Sequence, residues 1–236
     1  KNKNYNKEFS FIKKILKNFL KNPKTLIDLG CGTGKYSKLM TDLGLEVHGI
    51  DNSKHMLNIA RKKYKANKKL KFTYSDINNL NIKKKFDIVS ALFHILSYQI
   101  KKNNIKKFFQ ISQKLLKKNG ILIFDFWYKD GVLNLREPLK CRNVENKNFK
   151  IYRITRPKLI KKLDQIHDEH EMIIINKKNK KVKIFKETHK MRFFTIKTIK
   201  KYLKSNKLKY LISLDLSTSR TVTKNSWGAL VVAKKI

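Results

Sequence analysis

Apolar residues along the first two-thirds of the chain follow two alternating patterns. Short apolar runs such as 25–30 and 45–51 are typical of buried strands, whereas apolar positions three or four residues apart, as in 8–20, predict amphipathic helices. The same patterns predict further strands over 69–76, 86–93 and 120–127, and helices over 35–43, 55–64 and 103–118. Ser53 is expected to cap the second of these helices. Strands that alternate with helices predict a parallel sheet with right-handed crossovers.

The pattern changes after residue 148. Three alternating segments, 149–156, 159–176 and 182–194, predict an antiparallel insert with a polar turn at 176–181. A helix over 196–206 capped by Thr195 and strands over 209–216 and 226–235 then return to the first pattern. We therefore expect an α/β, Rossmann-like, mostly parallel seven-stranded sheet with helices on both faces. Its parts are a cofactor-binding core (1–148), a small antiparallel insert (149–194) and a return to the core (195–236).

The charge of the chain allows two interpretations. The 236 residues include 57 Lys and Arg against 17 Asp and Glu, a formal net charge of +40. This balance excludes an acidic tail and suggests a polyanionic partner such as nucleic acid. The lysines are nevertheless dispersed along the whole chain, as on a solvated surface, whereas a nucleic-acid footprint concentrates on one face.

Cysteine use and hydropathy favour a cytoplasmic protein without membrane insertion. Cys31 and Cys141 are too few for a disulfide framework and lack metal-ligand spacing. The chain has no apolar run of 18 residues and does not open on a signal peptide.

The most informative segment is the loop Asp28-Leu-Gly-Cys-Gly-Thr-Gly34 between the first buried strand and the next helix. Glycines at such a turn let the backbone approach a ligand closely. Asp51 and Asp76 end the next two strands, and in a parallel sheet these ends lie at the edge where ligands bind. A carboxylate is unfavourable beside a pyrophosphate but favourable beside the ammonium and sulfonium of S-adenosylmethionine (SAM). The G-x-G-x-G spacing also differs from the G-x-G-x-x-G of dinucleotide oxidoreductases.

With these residues, the chain resembles the class I SAM-dependent methyltransferases. DLGCGTG is similar to their first motif, GIDNSKHML to the second, YSDI to the third and FDIVSALFH to the fourth, and LLKKNGILIFDF is similar to the strand that follows. The resemblance implies SAM as cofactor. It assigns the methionine part to Asp28, Gly30, Cys31, Gly32 and Gly34, the ribose to Asp51, and the adenine to Asn52, Met56, Asp76 and Ile77. From the residues alone, Met56 could instead belong to the core, and Cys31 could simply be small enough for a tight turn.

Methyl transfer is an in-line displacement, so the enzyme positions the acceptor and, where needed, removes a proton. His94 is our candidate general base because imidazole titrates near neutral pH. A structural or SAM-contacting role is the alternative for His94, and Tyr98 is a second catalytic candidate as a polar contact to the acceptor. The substrate-binding candidates are Trp127, Tyr128, His189, Arg192 and Tyr5, the last from the N-terminal segment that closes over SAM in similar proteins.

Three histidines of the insert also have structural interpretations. His189 on an alternating strand could be half-buried structure. His167 and His170 lie among acids, but positions i and i+3 of a strand face opposite sides, so we expect no metal site.

The later part of the chain resembles small-molecule methyltransferases, namely the nucleotide-linked amino-sugar and glycine/sarcosine-type N-methyltransferases. The resemblance rests on FDFWYKDGVLN, the antiparallel insert, ETHKMRFFT and the closing SWGALVVAKK. This implies an amine or hydroxyl acceptor on a small, anionic metabolite, with the insert as roof of the acceptor site and a contact in a homodimer. The basic residues Arg136, Lys140 and Arg142 could take its phosphates. Lys129-Asp130-Gly131 departs from the Gly-Pro corner of many such proteins.

Two alternative functions remain. The charge favours an RNA methyltransferase, although the chain has no Asn/Asp-Pro-Pro-aromatic motif and no Pro-Cys or Thr-Cys pair. A non-catalytic SAM-binding subunit is the other alternative. The acids of the motifs are all present, which argues against it.

Overall fold

The structure, a computed structural model, describes residues 5–135, 138–215 and 217–236, with side chains described from residue 9 onward. Over these residues the chain forms six α-helices and eleven strands. The helices are α1 (Tyr5–Phe19), α2 (Lys35–Thr41), α3 (Lys54–Lys63), α4 (Lys102–Leu115), α5 (Lys129–Leu135) and α6 (Ile196–Ser205). The strands are β1 (Thr25–Leu29), β2 (Glu46–Asp51), β3 (Leu70–Tyr74), β4 (Phe86–Ala91), β5 (Leu116–Tyr128), β6 (Lys140–Glu145), β7 (Phe149–Ile160), β8 (Gln165–Asn176), β9 (Val182–Phe194), β10 (Leu208–Asp215) and β11 (Gly228–Lys235).

Seven strands form the core sheet that the sequence predicts. Strand β2 lies between β3 and β1, and β4 and β5 continue the sheet on the other side of β1, all in parallel. Strand β11 is antiparallel to β5, and β10 is antiparallel to β11. The mostly parallel α/β fold is therefore confirmed, and the carboxyl ends of β1 to β5 meet at one edge of the sheet.

Helices cover both faces of this sheet. Because successive residues of a strand point to opposite faces, Ile123 of β5 packs with α1 and α2, whereas Phe124 packs against Phe108 and Phe109 of α4. All four side chains are fully buried. Burial of each contributes about 1.5–3 kcal/mol, so this sandwich fixes the sheet edge that carries the motifs.

The helix boundaries confirm the predicted caps and correct one end. Ser53 Oγ accepts the N–H of Met56 at 3.3 Å, and Thr195 Oγ1 accepts the N–H of Thr198 at 3.1 Å. Helix α4 was expected to reach residue 118. It ends at Leu115 because Leu116 already pairs with Phe86 of β4.

Helix α5 begins at Lys129-Asp130-Gly131, where the chain departs from the Gly-Pro corner of similar proteins, and the sequence pattern does not predict this helix. A Cβ at Gly131 would lie 1.8 Å from the carbonyl oxygen of Ser226, so the helix packs on the segment before β11 as only glycine permits. No helix in the described part of the chain is long and apolar enough to cross a membrane.

Strands β6 to β9 form the antiparallel insert. It joins the core where Trp127 and Tyr128 of β5 pair with Phe193 and Phe194 of β9. The antiparallel sheet begins with β6 at Lys140, whereas the sequence pattern predicts its start at residue 149. The pattern does not reveal β6 because this strand lacks apolar alternation. Strand β7 continues to Ile160, where the sequence pattern predicted the start of the next strand at 159.

The outer half of the insert carries exposed apolar side chains. They are Val144, Phe149, Val182, Ile184 and Phe185. They offer a surface for the homodimer that the resemblance implies, and that homodimer stays a prediction.

Candidate active site

The loop between β1 and α2 adopts a conformation that requires glycine. Gly30, Gly32 and Gly34 have φ angles of 75°, 54° and 72°. A Cβ at Gly30 would lie 2.1 Å from Ile95 Cδ1, and one at Gly34 would lie 2.5 Å from the ring of Phe72. The loop is therefore held between the segment after β4 and strand β3.

The N–H groups of the first three loop residues after β1 donate hydrogen bonds inside the protein. Those of Gly30 and Cys31 donate to the carbonyl oxygen of Ile50 at 2.8 and 2.9 Å, and that of Gly32 donates to Asp51 Oδ2 at 2.7 Å. A phosphate-binding loop needs such groups to point at the ligand. This loop instead presents acidic neighbours, which suits a cationic ligand rather than a pyrophosphate.

Asp28 lies beneath the loop with 3% of its surface exposed. Its two oxygens accept the hydroxyls of Ser37 at 2.6 Å and Ser90 at 2.8 Å. Burial raises the pKa of Asp28 from 3.8 to about 6, against the two serine hydrogen bonds that lower it, and the charge of Asp51 raises it further. Both oxygens of Asp28 are thus already engaged, so we expect it to act on a ligand mainly through its charge and its support of the loop, and a direct contact with SAM stays a prediction.

The raised pKa of Asp28 predicts a pH-dependent stability. The folded protein holds this proton more tightly than the unfolded chain, so the contribution of Asp28 to the free energy of unfolding falls as pH rises from about 4 to about 6. We expect Asp28→Asn to gain stability relative to the original protein over this range, by on the order of 3 kcal/mol. Urea unfolding at several pH values measures it, with Asp42→Asn as exposed control. A difference in the free energy of unfolding between the two proteins that does not change with pH would contradict the raised pKa of Asp28.

Asp51 closes the site at the end of β2. Its Oδ1 accepts the N–H of Ser53 at 2.8 Å while Oδ2 accepts that of Gly32, and 9% of the residue is exposed. Each carboxylate oxygen can accept more than one hydrogen bond, so both can still receive ribose hydroxyls. Asn52 beside it is exposed.

Met56 is 45% exposed and is therefore not a core residue. Its Sδ lies 3.5 Å from the point where a Cβ of Gly32 would stand. Met56 thus forms a wall over the glycine loop, where a flat aromatic ring such as adenine can pack. This arrangement is compatible with the adenine contact that the resemblance implies, which stays a prediction.

The end of β3 supplies a second polar edge. Exposed Asp76 uses Oδ1 to accept the N–H of Asn78 at 2.8 Å, and buried Ile77 follows it. The side-chain amide of Asn78 donates to Gln99 Oε1 at 3.1 Å, which ties this turn to the segment after β4.

Cys31 is buried under the same loop. Burial and the charges of Asp28 and Asp51 raise the pKa of its thiol. The thiol form is therefore favoured, which suits the interpretation of Cys31 as a small loop residue.

His94 is positioned by Asp125. The Oδ1 atom of Asp125 accepts the backbone N–H of His94 at 2.9 Å, and Oδ2 lies 2.9 Å from His94 Nδ1. That second contact lies within hydrogen-bonding distance but does not have the geometry of a hydrogen bond, so neither atom has a hydrogen-bond partner among the described residues. Phe93 and His94 have φ angles of 65° and 67°, a conformation that costs free energy and is common at functional sites.

The neighbours of His94 place it beside the glycine loop. Its ring lies 6.0 Å from that of Trp127 between centroids, and Ile95, the next residue, packs on Gly30. The side chain of His94 is 33% exposed. The candidate base and the candidate methionine-binding loop are thus adjacent.

Tyr98 connects the segment after β4 to the insert. Its hydroxyl is 2.9 Å from Nδ1 of His189, whose Nε2 is 3.2 Å from Glu187 Oε1. Burial, with Asp168 and Glu187, raises the pKa of Tyr98 and keeps its hydroxyl protonated. Buried Ser97 reinforces the junction, since its Oγ accepts the N–H of Trp127 at 3.0 Å.

Two of the predicted substrate-binding side chains point away from His94, because alternate residues of a strand face opposite sides of the sheet. Tyr128 points to the face opposite Trp127 and donates to Asp130 Oδ2 at 2.6 Å. Arg192 points away from His189 and donates to the carbonyl oxygen of Ile100 at 3.1 Å. The structure does not bring these two side chains to His94.

Two further predictions concern residues whose side chains the structure does not describe. Tyr5 lies in helix α1 but before residue 9, and Arg136 lies between the described ranges.

His167 and His170 take separate partners, Gln165 at 3.0 Å and Thr155 at 2.9 Å. The described residues contain no group of three or more His, Cys, Asp and Glu that could hold a metal.

Several residues of the site escape sequence analysis. They are Ser37 and Ser90 on Asp28, Ser97 at the junction, Asp125 behind His94, and Asp168 of the insert. Asp125 had a visible signal, since it is the one acid in the apolar run 121–128. The serines and Asp168 have none, because their partners come from other strands.

Comparison with known proteins finds similarity to methyltransferases over the first half of the chain. Residues 26–120 match the family model described as methyltransferase domain. A ubiquinone biosynthesis O-methyltransferase of Pelagibacter ubique is 42% identical over 104 residues, which is 44% of this chain and 41% of that protein. The chain spans less than half the length of the first curated relatives it matches.

Solved structures show the fold over the whole chain. A SAM-dependent methyltransferase of Clostridium acetobutylicum superposes with a TM-score of 0.85 and 24% identity, covering 99% of this chain and 93% of its own. The sugar N-methyltransferase KedS8 of Streptoalloteichus sp. has a TM-score of 0.85 and 18% identity, covering 100% of this chain and 89% of its own.

Proposed function

We propose that this chain, which carries a class I SAM-dependent methyltransferase domain, transfers a methyl group to an amine or hydroxyl of a small, anionic metabolite such as a nucleotide-linked amino sugar. The observation that carries the proposal is the His94–Asp125 pair beside the glycine loop. It supports the proposal because a side chain that can take a proton lies beside the loop that is expected to hold the methyl donor.

The residues around the loop suit SAM as the donor. Asp28 and Asp51 supply negative charge, and Met56 supplies an exposed apolar surface. When bound, SAM supplies an electrophilic methyl group, which the lone pair of the acceptor takes as the S–CH3 bond breaks and its electrons pass to sulfur.

His94 receives the proton that the acceptor loses. With the carboxylate of Asp125 at Nδ1, the imidazole favours a proton on Nδ1, so Nε2 is left as the accepting nitrogen. Asp125 is 1% exposed, so the pair is fixed by a buried group. Such positioned general bases contribute about 10²–10⁴-fold to rates.

The insert forms the roof of the acceptor site in this proposal. The pairing register puts Lys140, Arg142, Arg153 and Thr155 on the face of the insert that also carries His189. These basic side chains favour an anionic group on the acceptor.

Labelled methyl transfer tests the proposal against an RNA acceptor, which the net charge of +40 favours. The protein is incubated with methyl-labelled SAM and either cellular RNA or the small-metabolite fraction of a cell extract. We expect label in the metabolite fraction, unaffected by ribonuclease. Label confined to RNA and removed by ribonuclease would overturn the proposed acceptor. The Asp51→Ala variant in the same assay controls for a contaminating methyltransferase.

A further inference from the structure

Asp168 of the insert is a buried carboxylate with an unused oxygen. The residue is 8% exposed, and its Oδ1 has no hydrogen-bond partner among the residues that the structure describes. An unpaired buried acceptor costs free energy, and such atoms are rare in folded proteins. A hydrogen-bond donor from a ligand would satisfy this oxygen.

The strand register places Asp168 over the acceptor side of the core. Asp168 pairs with His189 across β8 and β9, and the preceding pair on the same face is Ile166 with Met191. Ile166 and Met191 pack on Trp127, the aromatic neighbour of His94. Asp168 therefore lies two residues, or about 7 Å, beyond the point where the insert contacts Trp127.

The two histidines beside Asp168 already have other partners. His170 receives or donates a hydrogen bond with Thr155 at 2.9 Å, and His189 contacts Tyr98 and Glu187. Burial raises the pKa of Asp168, although the charges of His170, Lys140, His189 and Arg153 lower it. The nearby positive charge therefore does not compensate the buried carboxylate fully.

We propose that Asp168 anchors an amine of the acceptor, its free Oδ1 accepting a hydrogen bond from that amine under the insert. An ammonium is attracted to the carboxylate by its charge as well as by the hydrogen bond, whereas a hydroxyl offers the hydrogen bond alone, so Asp168 selects an ammonium over a hydroxyl in the same place. The basic side chains on the same face, Lys140, Arg142 and Arg153, leave the anionic part of the acceptor on the outer side. This inference rests on the proposed function and deepens it, because it names an amine as part of the acceptor.

Two substitutions on neighbouring residues test the anchor. Asp168→Asn keeps the shape and removes the charge. Glu169→Gln removes a charge on the opposite face, where Glu169 pairs with Lys158 at 2.6 Å. The probes are nucleoside diphosphate-linked sugars with an amine at one ring carbon, each with its counterpart that carries a hydroxyl there. Binding is measured by calorimetry in the presence of S-adenosylhomocysteine, so that no transfer occurs.

We expect the original protein and Glu169→Gln to bind an amino sugar at least about tenfold more tightly than its hydroxyl counterpart. Asp168→Asn should bind the two equally while keeping its affinity for S-adenosylhomocysteine. An amine preference that survives in Asp168→Asn would overturn the anchor and leave the proposed function intact. Failure of the original protein to bind any probe, with label found in RNA, would overturn both.

Discussion

Replacement of His94 with alanine is expected to lower kcat by about 10²–10⁴-fold, with the Kd for SAM within about twofold of the original value. In the proposed mechanism His94 Nε2 accepts the proton of the acceptor, whereas the expected SAM contacts lie at and after the ends of β1, β2 and β3. Steady-state kinetics and calorimetry on the same preparation separate the two quantities. An unchanged kcat would remove His94 as the base.

Asp125→Asn examines how His94 is positioned. The asparagine oxygen can still accept the backbone N–H of His94, but the amide cannot fix the proton on Nδ1. We therefore expect a smaller loss of kcat than in His94→Ala, with a shifted pH profile that a purely structural role would not produce. His167→Ala, on the far side of the insert, is the matched control and should retain full activity.

Asp51→Ala is expected to weaken SAM binding by about 10–100-fold. The substitution removes the carboxylate that the ribose hydroxyls would use, and hydrogen bonds to charged groups are worth about 1.5–3 kcal/mol. It also leaves the N–H groups of Gly32 and Ser53 without their acceptor, which loosens the glycine loop. Calorimetric titration with SAM measures the change.

Asp42→Ala is the matched control for this substitution. Asp42 follows helix α2, is half-exposed and pairs with Lys38, so its loss should leave the Kd for SAM unchanged. Thermal unfolding by circular dichroism verifies that both variants are folded. If Asp51→Ala binds SAM as tightly as the original protein, the ribose contact is wrong.

The parts of the site that the sequence could predict are those fixed by one strand and the turn that follows it. Asp51 and Asp76 end apolar runs, and the positive φ of Gly30 follows from the tight turn after β1. In a parallel sheet, local strand direction alone brings such ends to one edge. The core sheet and the cofactor edge were therefore accessible before the structure.

The acceptor side could not be predicted in the same way, because it depends on pairing between distant strands. Trp127 and Tyr128 are neighbours in sequence but point to opposite faces of β5, and no local pattern decides which of the two faces His94. Asp168 meets His189 only through the register of β8 with β9. Strand β6 has almost no apolar alternation and is recognisable only by its pairing with β7.

The most direct test of the central claim is the fate of an isotopically labelled methyl group. The protein is incubated with SAM that carries a deuterated methyl and with a nucleotide-linked amino sugar, and both products are measured by mass spectrometry. We expect the deuterated methyl on the sugar and an equal amount of S-adenosylhomocysteine. Tight binding of SAM without S-adenosylhomocysteine formation across amine and hydroxyl acceptors would contradict the claim and indicate a non-catalytic SAM-binding protein.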